Sequence, residues 1–321
     1  MTQLSEPLPR RLGSVIRLLV KTWARFPKAP GYLYQVIERW GERLAVEPLE
    51  CQLFNGVTMR CDLRDQIQRQ IYFFGAYEPI EAYLFKLLLK PGMIVVDGGA
   101  NVGQYTLIAA TEVGCTGEVH AFEAVPANFG RLQAHVLGNA VNATVRINMK
   151  ALWHQTEDLN LHLERGMLGN KGAYTIGVPP TVVDTVTSKG VRLDDYVNEH
   201  GLERVDLIKL DIEGAEWFAL RGAVETIRRW RPTLLLEINR GACMQIGYEP
   251  ERIWQFLKPF GYLMRIVGQS AEASTPISSL SGIERANMLF YVGEIPDEVT
   301  RGWTLKSVLR FHVHSRARRP S

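Results

Sequence analysis

Apolar residues change their spacing several times along the chain. Between Arg11 and about Arg43, Val15, Leu18, Leu19 and Trp23, then Tyr32, Tyr34, Val36 and Trp40, recur at helical intervals broken near Pro27 and Pro30. Residues 45–62 alternate instead, around Asn55-Gly56, a pair that favours a tight hairpin turn. Glu81 to Leu89 follows Pro79 and returns to helical spacing through Tyr83, Leu84, Leu87 and Leu88.

From Pro91 the rhythm becomes short apolar runs between amphipathic stretches. Met93–Val96, Glu118–Phe122, Val145–Asn148, Val205–Leu210 and Leu234–Ile238 predict strands, the most apolar of them buried on both faces. Val102–Thr111, Pro126–Leu137, Ala215–Arg228 and Pro250–Lys258 predict helices between them, and two further strands fall near Tyr262–Val267 and Asn287–Val292. Leu159–Leu163 alternates, as an edge strand does. Strand and helix at this spacing imply an α/β fold with a doubly wound, mostly parallel sheet. The expected division is an N-terminal helical and hairpin cap over 1–70, an α/β domain over 71–296 and a basic tail over 297–321.

Composition narrows the class. Hydrophobic residues at 46% and charged residues at 22% belong to a globular chain, and a net charge of +3 gives no basis for nucleic-acid binding. The four cysteines, Cys51, Cys61, Cys115 and Cys243, have no C-x-x-C spacing, so neither a zinc site nor a disulfide framework is expected. No apolar run reaches membrane-spanning length. The patch Val15–Val20 is followed by Lys21, Arg25 and Lys28 without a small-residue cleavage site, so a cytoplasmic location is expected. His312, His314, Arg316, Arg318 and Arg319 make the end basic, which suits a solvated tail or a peripheral contact with an acidic or membrane surface.

Three blocks carry candidate chemistry. In Val95-Val96-Asp97-Gly98-Gly99-Ala100-Asn101-Val102-Gly103 a buried strand enters a glycine turn that opens a helix, where free amides and the lack of Cβ atoms let a ligand approach. Its spacing is not the G-x-G-x-x-G of dinucleotide binding. Asp97 before the glycines would repel a pyrophosphate but suits the ammonium and sulfonium charges of S-adenosylmethionine; an Asp there also caps helices. Glu123 ends the next strand, where an acid accepts hydrogen bonds from ribose hydroxyls. Asp211 and Glu213, in Val205–Glu216, end another strand on the same sheet edge, whereas Glu216 is expected to face solvent or cap its helix.

With these blocks in place the chain resembles the FkbM family of S-adenosylmethionine-dependent methyltransferases. The resemblance is carried by Phe74-Gly75-Ala76-Tyr77-Glu78-Pro79, the turn from Val95 to Thr106, Ala121-Phe122-Glu123, Leu193-Asp194-Asp195-Tyr196, Ile208 to Glu216, Leu220 to Ala223 and Arg231-Pro232. It covers about residues 70 to 240, and Ile208–Glu216 is its most specific part. One departure is Glu123-Ala124-Val125-Pro126, where the family usually has proline straight after the acid. The resemblance implies a Rossmann-like, class I methyltransferase sheet acting on hydroxyls of sugars, glycolipids or natural-product intermediates. It implies that the turn (Asp97, Gly98, Gly99, Ala100, Asn101, Gly103) holds the methionine part, that Glu123 holds the ribose and that Asp211 lies near cofactor and acceptor.

Methyl transfer to a hydroxyl needs alignment and a proton acceptor or a metal. Asp211 or Glu213 can serve as the base; Asp211, Glu237 and Asn239, ending neighbouring strands, are oxygen ligands that suit Mg²⁺, on weaker grounds of analogy. Glu78 either reaches the cofactor or steadies the helix after Pro79. His154 is a further base candidate against a packed histidine, and Trp153 an adenine-pocket candidate against a core residue. The glycine-rich segment 166–177 reads as a lid or as an ordinary loop. Two other functions stay in play: a nucleoside-binding module without chemistry, and an NAD-dependent oxidoreductase, which lacks the glycine spacing and a Tyr-x-x-x-Lys pair. The expected partner is a small-molecule or glycan acceptor, with no nucleic acid and no transmembrane segment.

Overall fold

The computed structural model describes Gln35, Ile37, Gly41 and residues 47–165, 169–170, 172–267 and 275–300. The helices expected over 11–43 fall almost wholly outside these residues, as do the basic tail from residue 301 and part of the 166–177 segment. The chain divides between Tyr83 and Leu84 into two compact units.

In the first unit, β1 (Leu49–Gln52) and β2 (Thr58–Cys61) pair antiparallel, with Leu49 opposite Cys61. The turn is the expected one: the Asn55 side chain accepts from the Val57 amide, and Gly56 sits at φ 90°. The hairpin brings the buried thiols of Cys51 and Cys61, ten residues apart, to an Sγ–Sγ distance of 3.1 Å. Helix α1 (Gln66–Phe74) was not legible, because Gln68, Arg69 and Gln70 are buried beside Ile71 to Phe74 and leave no apolar stripe. Asp65 caps it by accepting from the Gln68 amide, and Gly75 at φ 80° ends it. Glu78, at φ 45°, accepts from the Ala82 amide as helix α2 (Pro79–Leu88) begins.

The second unit is built on a seven-stranded sheet. Its strands are β3 (Ile94–Gly98), β4 (Glu118–Phe122), β5 (Thr144–Asn148), β10 (Leu207–Leu210), β11 (Thr233–Asn239), β12 (Leu263–Val267) and β13 (Arg285–Tyr291). Between β5 and β10 the chain forms a second, four-stranded sheet from β6 (Ala151–Leu152), β7 (Glu157–Glu164), β8 (Tyr174–Thr175) and β9 (Val182–Val191). The main sheet runs β12-β13-β11-β10-β3-β4-β5, parallel except for β13, which is antiparallel to both neighbours. The doubly wound, mostly parallel α/β expectation is met.

Helices α3 (Gln104–Val113) and α4 (Pro126–Leu137) follow β3 and β4. Then come α5 (Leu193–Glu199) before β10, α6 (Glu216–Arg221) and α7 (Val224–Trp230) before β11, α8 (Arg240–Gln245) and α9 (Glu251–Leu257) before β12, and α10 (Asp297–Thr300) last. Strand alternation sorts the two faces. Val96, Phe122, Ile208, Leu210, Leu234 and Leu236 share one core with Tyr196 of α5, Leu220 of α6, Ile227 of α7 and Ile253 of α9. The opposite face carries Ala121, packed on Leu132 of α4, and Asp97, bonded to Thr106 of α3.

Two details depart from expectation. The helix expected over Ala215–Arg228 is two, interrupted at Gly222-Ala223, because the main chain at Gly222 lies against β6: a Cβ there would stand 2.0 Å from the Trp153 carbonyl oxygen. The segment Leu159–Leu163 is not an edge strand but the interior of β7, between β9 and β8 in the second sheet. Among the described residues no helix is long and apolar enough to cross a membrane.

Candidate functional site

The main sheet changes winding direction at β3: β4 and β5 build outward on one side, β10 and β11 on the other. The carboxyl ends of β3 and β10 therefore part around a crevice, the place where such sheets bind ligands. Gly99 (φ 74°), Asn101 (φ 49°) and Gly103 (φ 96°) take left-handed conformations there. A Cβ on Gly99 would stand 1.9 Å from the carbonyl oxygen of Asp211, so only glycine lets the turn and the β10 end come this close. Gly98 is the last residue of β3, packed against Leu210. The Gly99 and Ala100 amides both donate to the Phe122 carbonyl, which draws the turn towards β4.

Glu123 anchors the same turn. Its Oε2 accepts from the Asn101 amide at 2.7 Å and its Oε1 from the Val125 amide at 2.8 Å. Each oxygen keeps a second lone pair for a ligand hydroxyl. Burial pushes this carboxyl up to about 7, against the pull of the two amides.

Asp97 is placed differently from expectation. It is 0% exposed, so it lies beneath the turn and not at the lip of the crevice. Its Oδ2 accepts from the Thr106 hydroxyl at 2.6 Å, and Lys209 Nζ lies 3.7 Å from Oδ1. Burial raises its carboxyl, with Lys209 as the main opposing influence.

Beyond β10 the chain turns through Asp211, Glu213 (φ 51°) and Gly214 (φ 95°). The Tyr248 hydroxyl donates to the Gly214 carbonyl at 2.8 Å, and the Thr175 hydroxyl of β8 to the Glu213 carbonyl at 3.2 Å. The Asp211 side chain keeps 31% of its surface exposed, and its Oδ2 is 3.5 Å from Lys209 Nζ. Burial first, then Asp211, pushes Glu213 up to about 7. Glu237 is paired with Arg285 at 2.6 Å; burial and the two neighbouring acids raise it nonetheless. An oxygen from each of Asp211, Glu213 and Glu237 lies within 4.8 Å of the others. Asn239 does something else: its Oδ1 accepts from the Ala242 amide and caps α8.

Glu216 corrects another expectation. It is fully buried rather than solvent-facing, and its Oε1 accepts from the Ile212 amide at 3.0 Å, inside the turn it follows. Trp153 stacks on Phe218 at 4.3 Å between ring centroids and donates to Glu157, a core role, and His154 packs beside the same ring. Glu78 belongs to the first unit.

A cleft of about 520 Å³ joins these parts, and its lining includes Gly99, Glu123, Leu152, Asp211 and Glu213. Its further wall comes from Leu161 of β7 and from Tyr174 and Ile176, which fall in the 166–177 segment expected to be a lid or an ordinary loop; Leu161 was not marked as a site residue. Gly172 rests against the Asn101 side chain, so this segment lies directly on the glycine turn. Lys209 was missed as well, although a lone charge inside the apolar run Leu207–Leu210 was a visible signal.

The strand order, with β13 reversed between β11 and β12 and a glycine turn at the switch point, fits the doubly wound, mostly parallel sheet that the resemblance implies. Residues 97–264 match the model of the methyltransferase FkbM domain, and the chain belongs to that family. It is 31% identical to the 31-O-demethyl-FK506 methyltransferase FkbM of Streptomyces tacrolimicus, over 42% of this chain and 60% of that protein. It is 29% identical to Methyltransferase 1 of Beauveria bassiana (strain ARSEF 2860), over 40% and 57% respectively. The chain thus spans about three fifths of the length of these relatives. Among solved structures, the methyltransferase FkbM of Methylobacillus flagellatus KT aligns with 87% of this chain and 60% of its own at 15% identity, with a TM-score of 0.41.

Proposed function

We propose that this chain is an S-adenosylmethionine-dependent methyltransferase that methylates a hydroxyl of a small-molecule acceptor. The observation that carries this reading is the convergence of the glycine turn, Glu123 and the partly exposed Asp211 on one cleft. The turn offers backbone amides and a surface without Cβ atoms to the methionine part, and Glu123 has lone pairs for the ribose. When bound, the cofactor supplies an electrophilic methyl group on a sulfonium. Asp211 lines the cleft and takes the proton from the acceptor oxygen, with Glu213 as the nearest substitute. The second sheet forms the wall from which Leu161, Tyr174 and Ile176 meet the acceptor.

A hydroxyl of a sugar, glycolipid or natural-product intermediate is the proposed acceptor; the Streptomyces relative is named as the methyltransferase of 31-O-demethyl-FK506. Titration calorimetry should give saturable binding of S-adenosylmethionine and none of NAD⁺; the reverse result ends this reading in favour of an oxidoreductase. Labelled cofactor offered with pools of glycans, glycolipids and natural-product intermediates identifies the acceptor. Asp211→Asn should then lower kcat by at least about a hundredfold with cofactor affinity nearly unchanged. Cofactor binding with no transfer to any pool would favour a binding module instead.

A second reading makes Asp211, Glu213 and Glu237 a Mg²⁺ site, on the strength of their 4.8 Å grouping. The Arg285 guanidinium already engaging Glu237 weighs against it. Activity lost in chelator and restored by Mg²⁺ would establish the metal; indifference to chelator removes it.

A further inference from the structure

Lys209 is the one cation that the sheet sends under the cleft floor among the described residues of β3, β4 and β10. It stands directly opposite Asp97 in the β3–β10 register, and its neighbours Ile208 and Leu210 turn to the other face. The residue is 4% exposed. Its Nζ lies 3.7 Å from Asp97 Oδ1, 3.5 Å from Asp211 Oδ2 and 4.6 Å from the Tyr105 ring centroid. Burying an ammonium costs several kcal/mol unless its surroundings compensate, and apolar residues of similar size often serve stability as well. Stability alone therefore gives no reason for a lysine here.

Charge gives one. On the reading above, the cleft receives a cation whose positive charge disappears from sulfur as the methyl group leaves. Carboxylates gathered around that sulfur hold the reactant more strongly than the transition state, which slows transfer. Asp97 and Asp211 are the two carboxylates beside Lys209, one beneath the turn and one at the cleft wall. We propose that Lys209 is a positioning residue that acts through Asp97 and Asp211, offsetting their charge so that the crevice does not over-stabilise the sulfonium relative to the neutral thioether product. This rests on the cofactor reading and adds to it a residue that sets the balance between the two ligands.

The test needs no acceptor. Affinities for S-adenosylmethionine and S-adenosylhomocysteine are measured by titration calorimetry on the full chain at pH 8.5. Lys209→Met should shift the affinity ratio towards S-adenosylmethionine on the order of tenfold, as expected for one unit charge in a partly buried setting. Lys209→Arg keeps the charge and should hold the ratio near wild type. Asp97→Asn removes one of the offset acids and should move the ratio the other way; it carries the test if Lys209→Met does not fold. A role confined to packing would change both affinities together and leave the ratio alone. Ratios unchanged within twofold in Lys209→Met and Asp97→Asn overturn the proposal by itself. A wild type that binds neither ligand overturns the cofactor reading and this proposal with it.

Discussion

Gly99 shows how much a single position can demand. Its left-handed φ of 74° is unfavourable for any residue with a side chain, and its missing Cβ leaves the space in which the Asp211 carbonyl sits. Gly99→Ala must move either the turn or the end of β10. A loss of about 2–4 kcal/mol in urea unfolding is expected, with cofactor affinity reduced at least about tenfold. Wild-type stability and affinity in that variant would mean that the close approach is not needed. The sequence announced this glycine through its turn pattern. It did not announce that Asp97 is sealed beneath the turn or that Lys209 meets it, since both facts depend on which strand lies beside β3. Glu123 was legible as a strand-ending acid, but its two backbone donors, one 22 residues earlier in the chain, were not.

At the level of elements, apolar runs marked every strand of the main sheet, and Glu118–Phe122 and Pro126–Leu137 have the expected bounds. Central parallel strands are buried on both faces, so their composition gives them away. The second sheet was mostly invisible. The start of β9 is exposed, with Val182 and Val183 outward, and β8 is two residues long, so neither leaves a period to read. The break between α6 and α7 has the opposite character. Local propensity favours one continuous helix, and the contact with β6 overrides it. Gly222→Ala adds up to about 1 kcal/mol of helix propensity but drives a Cβ to 2.0 Å from the Trp153 carbonyl. The clash should win, lowering unfolding stability by roughly 1–3 kcal/mol. Chemical denaturation checks the sign, and a stabilised variant would show that the helix pair yields easily.

For the whole molecule, the buried acids around the β10 end couple pH to stability. Burial lifts Glu216 from an ordinary 4.5 to about 8, so the folded protein keeps a proton that the unfolded chain gives up. Stability tied to this group is full below about 4.5, falls as pH rises towards 8 and then levels off. Glu123 and Glu213, each raised to about 7, act in the same direction. Glu216→Gln removes the largest of these three slopes. Its stability relative to wild type should rise by roughly 1–3 kcal/mol between pH 5.5 and pH 8.5. Urea unfolding at the two pH values measures this, and an equal difference at both would show that Glu216 is not the group responsible.

By itself the sequence determined the alternation of strands and helices, the glycine turn, and the acids that close the strands. Each of these follows from local chemistry: apolar content, turn propensity, and the position of a charged residue after a buried run. Tertiary structure decided which strand ends meet, that Asp97 lies under the crevice while Asp211 opens onto it, and that a second sheet walls the cleft. Those outcomes depend on contacts between segments dozens of residues apart, whose energies exist only once the chain has closed on itself.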